Sequence, residues 1–101
     1  MQNVLGAVVE VCFRTAEQGG RHAPLWNDAG SYRPHFRVHG GNHLGVVLAR
    51  GPSGPVQPGV LVEVEVKFPY DVDYGALSEG AIFEILEGPR VVGEGRVLRL
   101  I

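Results

Sequence analysis

The sequence predicts an all-β fold, a six-stranded closed antiparallel barrel, on three observations. Short β-branched segments recur along the chain, glycine and proline separate them, and one segment alternates between valine and mostly charged residues. That segment spans 60–68, where Val60, Val62, Val64, Val66 and Phe68 interleave with Leu61, Glu63, Glu65 and Lys67. A period of two places the first set on a core face and the second in water. Comparable segments run over 4–14, 32–39, 44–50, 81–87 and 90–100. The intervening Gly40-Gly41-Asn42, Gly51-Pro52-Ser53-Gly54-Pro55, Pro58-Gly59 and Gly88-Pro89 supply turn chemistry. Closing six short strands on themselves removes edges that would otherwise pair between molecules. The predicted core includes Val62, Val64, Val66 and Phe83, and no helix longer than one turn is expected. Residues 15–31 are polar and carry Gly19, Gly20, Pro24, Trp26 and Gly30 without a clean period, which predicts a bent hairpin or a functional loop.

A chain of 101 residues fits one domain over 1–101, without repeat or linker. The formal net charge of −2 excludes a strongly basic nucleic-acid module, so DNA is not an expected partner. Cys12 is the sole cysteine, which rules out an intrachain disulfide and points to a reducing cytoplasm. No basic leader precedes an apolar stretch, and nothing approaches the roughly 18 apolar residues of a spanning helix, so no membrane association is expected.

Catalytic patterns fail one by one. A phosphate-binding loop needs a glycine-lysine pair, whereas the only lysine, Lys67, follows Val66. No Cys-x2-Cys or His-Glu-x2-His spacing occurs in the sequence, and His35 and His39 on one strand would stand about 13 Å apart, too far to share an ion. Cys12 lies in an apolar strand with no adjacent base and reads as a small buried hydrophobe. Glu63 with Glu65, and Asp71 with Asp73, read as solvated pairs. The chain is therefore expected to be no enzyme and to use no metal or cofactor.

One charge pattern stands out. Arg33, His35, Arg37 and His39 fall at every second position, so an extended strand presents them as one row while Pro34, Phe36 and Val38 face the other way. With Arg21 and His22 on the preceding loop, the row suits phosphates or an acidic protein surface. Alternatively it pairs with acids such as Glu63 or Asp71 on neighbouring strands.

Gly19-Gly20-Arg21-His22-Ala23-Pro24 followed by Tyr32-Arg33-Pro34-His35-Phe36 resembles motifs in the C-terminal barrel domain of translation elongation factor Tu. Gln57-Pro58-Gly59, Glu79-Gly80, Phe83-Glu84-Ile85 and the run from Glu87 to Gly95 are similar to later parts of that domain, in order and across nearly the whole chain. The resemblance implies a six-stranded antiparallel barrel that contacts partner proteins and the T-stem of tRNA. It carries RNA-facing roles to Arg21, His22 and Gly88. His35 stands where the family has glutamine, Leu44 where it has threonine, and Asp73 at a position often polar or basic.

The sequence does not contain the GTPase domain or middle barrel of that factor, and the expectation is a stand-alone relative of one domain unless the sequence is a fragment of a longer product. The expected function is a non-catalytic module making protein contacts linked to translation. The candidate contact residues are Arg21, His22, Arg33, His35, Arg37, His39 and Gly88. The alternatives are tRNA or structured-RNA binding through 21–39, and an enzyme of unrecognised type.

Overall fold

A computed structural model describes residues 5–20, 25–26, 32–51 and 55–101. Among the described residues nine strands follow in chain order: β1 Gly6–Phe13, β2 Leu25–Trp26, β3 His35–Val38, β4 Leu44–Gly45, β5 Val47–Arg50, β6 Pro55–Val56, β7 Leu61–Lys67, β8 Ile82–Glu87 and β9 Arg90–Leu100. Seven form one antiparallel sheet in the order β4-β3-β8-β9-β1-β7-β5, curled into a half-barrel, and β2 pairs with β6 separately.

The fold is all-β, as expected. The six-stranded closed ring is corrected to a seven-stranded curled sheet with β4 and β5 at its two ends. The expected strand over 44–50 divides at Val46, because its first part pairs with β3 and its second with β7. Val46 itself donates its amide to Pro34 O at 3.0 Å, and the Leu48 amide donates to Tyr32 O at 3.0 Å.

Period-two patterning explains which faces are buried. Ala7, Val9, Val11 and Phe13 of β1 enter the same core as Val64 and Val66 of β7 and Phe83 and Ile85 of β8. Val62 only packs against this core in a half-buried position: among the described residues the β5–β7 pairing stops at Glu65 and does not reach that end of β7. Val60 precedes β7 and is exposed. Cys12, expected to be buried, is half-buried because it sits at an outward position of β1 between Leu61 and Glu94.

Close aromatic packing marks the place where β3, β8 and β9 meet. The Phe36 and Phe83 rings stack with centroids 4.0 Å apart. Across β8 from that stack, a Cβ at Gly95 would come within 2.6 Å of the Phe83 ring, so only glycine leaves space for it. Burying a phenylalanine of this kind contributes roughly 1.5–3 kcal/mol.

The segment over 15–31 begins with a capped turn. Thr15 Oγ1 accepts from the Gln18 amide at 3.3 Å while Gln18 Oε1 accepts from the Thr15 amide at 3.0 Å, bracketing the three-residue helical turn Ala16–Gln18. Its later part pairs Leu25 with Val56 and Trp26 with Pro55, so β2 reaches a distant strand instead of closing a local hairpin. Among the described residues no helix is long and apolar enough to cross a membrane.

Val64→Asp is expected to abolish cooperative unfolding. Val64 is 3% exposed, and an unpaired carboxylate there costs several kcal/mol, a large part of a typical domain's roughly 5–15 kcal/mol. Calorimetry checks this, and a wild-type melting transition in the variant would contradict the assigned inward face.

Candidate binding face

The outward side of β3 carries the basic row. Arg33 and His39 are exposed, His35 and Arg37 are half-buried, and Pro34 and Phe36 are buried on the opposite side. The alternation in 33–39 therefore sets the faces as the sequence implies.

Arg37 is anchored. Its Nε donates to Glu84 Oε1 at 3.1 Å and its Nη2 donates to the same oxygen at 2.6 Å. Arg37 and Glu84 sit directly opposite each other in the β3–β8 register. The expected acid partners Glu63 and Asp71 are thus replaced by Glu84, because β3's neighbour is β8 and not β7. The pair is partly exposed and fixes the guanidinium more than it stabilises the fold.

The turn after β3 adds a residue absent from the sequence expectation. The Gly41 amide donates to Val38 O at 2.7 Å and reverses the chain. His43 thereby lies beside the row, its ring centroid 6.1 Å from that of His35 and its Nε2 3.4 Å from Arg37 Nη1. The signal for His43 was the Gly40-Gly41 reversal, which brings the residues after it back alongside the strand.

An aromatic side chain completes the face. A Cβ at Gly45 would lie 2.6 Å from the Tyr70 ring and 3.8 Å from His35 Cδ2, so the absence of a side chain at Gly45 lets Tyr70 lie across β4 next to His35. Tyr70 remains 52% exposed. Buried Tyr74 supports this arrangement. Its hydroxyl donates to Gly45 O at 2.7 Å and accepts from the Tyr70 amide at 3.3 Å, while its ring stacks on Phe68 at 4.4 Å. Burial raises the Tyr74 phenol above its ordinary value, against a smaller lowering by the Tyr70 amide.

The remaining sequence candidates are spread more widely. Gly88 occupies the exposed turn between β8 and β9. Arg21 and His22 lie outside the described residues. The two residues before them are held by Arg90, whose Nη2 donates to Gly19 O at 2.8 Å and also to Gly20 O. Arg90 thus ties the start of the loop to the β8–β9 hairpin. Leu44, at the family's threonine position, is buried opposite Phe36 and belongs to the core. The Asp73 carboxylate accepts from the Gly75 amide at 2.8 Å and so shapes its own turn.

Among the described residues no group of three histidine, cysteine, aspartate or glutamate side chains is placed to hold a metal ion. The arrangement of Arg37, His35, His43 and Tyr70 offers positive charge and an exposed ring, which suits recognition of an anionic surface. No family model matches the chain.

Two outcomes are expected for Tyr74→Phe. Loss of the hydroxyl leaves Gly45 O and the Tyr70 amide without this partner, which costs about 1–3 kcal/mol by chemical denaturation. Because the native phenol is harder to ionise than the unfolded one, wild-type stability is retained below about pH 10 and declines as pH rises further. That alkaline decline is expected to be smaller in the variant, and identical alkaline profiles would contradict the assigned burial.

Proposed function

We propose that the chain is a non-catalytic binding module that docks an acidic protein surface through the outward face of β3, in a setting linked to translation and in the cytoplasm. The observation that carries this reading is the single face shared by Arg33, His35, Arg37 and His39, joined by His43 and Tyr70. Basic and aromatic groups supply attraction and contact area. Glu84 already engages Arg37, and Glu94 lies opposite Glu84 on the next strand. This mixed-sign border suits a protein interface, whereas a polyphosphate would meet carboxylates at its rim.

The similarity to the C-terminal barrel domain of elongation factor Tu is part of the same proposal. It is supported by the motifs already quoted and by the two hydrogen bonds from Val46 and Leu48 to Pro34 and Tyr32. These continue the antiparallel register that pairs His35 with Gly45, and so bring the two ends of the curled sheet towards each other.

A second reading, structured-RNA binding, is favoured by the Arg90 contact. It gathers the Gly19-Gly20 turn and the Gly88 turn at one end of the hairpin.

Polyglutamate and tRNA are the two probes, each tested over a salt series. The protein-docking reading predicts saturable binding of polyglutamate that weakens as salt rises. The double variant Arg33→Gln/His39→Gln is expected to weaken binding by about tenfold without loss of the Arg37–Glu84 pair. Selective tRNA binding with a steep salt dependence would favour the RNA reading. Retention of neither polyanion at about 50 mM salt would overturn both, because screening is weak there.

A further inference from the structure

A second outward patch lies away from β3, across β9, β1, β7 and β5. In register, Arg99 faces Val8, Val8 faces Glu65, and Glu65 faces Arg50, which makes a transverse row over four strands. A depression of about 290 Å³ opens over this row, with Glu63 and Gly51 also in its lining.

The local backbone is irregular on both flanks. The β1–β9 register shifts between Val8 and Val9, and the β5–β7 register shifts between Leu48 and Arg50. Such irregularities redirect side chains and occur often beside binding sites. Val8 is 6% exposed yet does not belong to the main core cluster, so it forms an apolar floor separate from the interior.

The charges here behave differently from those elsewhere on the sheet. Arg14 pairs with Glu94, Arg37 with Glu84 and Arg96 with Glu10. Among the described residues, Arg50, Arg99, Glu63 and Glu65 form no ion pair, although all four line one depression. Their formal charges cancel, so a ligand of net charge would leave one sign uncompensated, whereas a zwitterion would satisfy both.

We propose that this depression binds a linear zwitterion, with its ammonium group at Glu63 and Glu65, its carboxylate at Arg99 and its aliphatic span over Val8. Adjacent and alternate strands stand about 5 and 10 Å apart, which sets a separation between those charges matched by an ω-amino acid or a short peptide. Arg50 flanks Glu65 from the other side and keeps the site neutral as a whole.

The test is a titration of the isotopically labelled full chain with 6-aminohexanoate at low salt, followed by amide chemical shifts. Saturable shifts are expected at Val8, Gly51, Val64 and Arg99, at about millimolar concentrations. Hexanoate and hexylamine, each lacking one charge, should bind at least about tenfold more weakly, as should Arg99→Gln and Glu63→Gln with 6-aminohexanoate. Both variants change exposed side chains and are expected to keep the wild-type melting transition. Absence of saturable shifts, equal binding of a single-charge analogue, or undiminished binding by both variants would overturn the proposal.

Discussion

The stack of Phe36 on Phe83, with Gly95 leaving room beside it, is the constraint on which the candidate face depends. It fixes β3 against β8 in a single register, with Phe83 of β8 opposite Gly95 of β9. A slip of one residue would turn every side chain of β3 over, sending His35 and Arg37 into the apolar interior. The functional row is therefore held outward by what lies beneath it, and the Arg37–Glu84 pair secures the same register from above.

A second layer of support comes from tyrosine. Tyr74 is sealed in the core by its ring contact with Phe68, while its hydroxyl joins Gly45 to the Tyr70 backbone. Tyr70 can then lie over a strand position that has no side chain. A buried aromatic thus sets the orientation of an exposed one, which joins packing to the chemistry of the surface.

Much of this was legible in the sequence because it is local. The alternation through 60–68 placed Val64 and Val66 inward, and the alternation through 33–39 placed the basic row outward. What was not legible depends on contacts between distant segments. Glu84 as the partner of Arg37 requires knowledge that β8 neighbours β3, and the break at Val46 follows from one segment serving two different strands. Tyr70 over Gly45 joins residues with no pattern in common. The expected burial of Cys12 failed for a simpler reason: an apolar run does not say which of its alternate residues faces out, and Cys12 shares the outward positions with Glu10.

The reading of this chain as a docking module rests on the location of binding, which amide chemical-shift mapping reports most directly. With polyglutamate added to the labelled protein at pH 6, the largest shifts are expected from His35 to Gly45 and at Tyr70, contiguous across β3, the following turn and β4. Shifts confined to the outer face of β1 and β7, or scattered without a contiguous patch, would contradict the account.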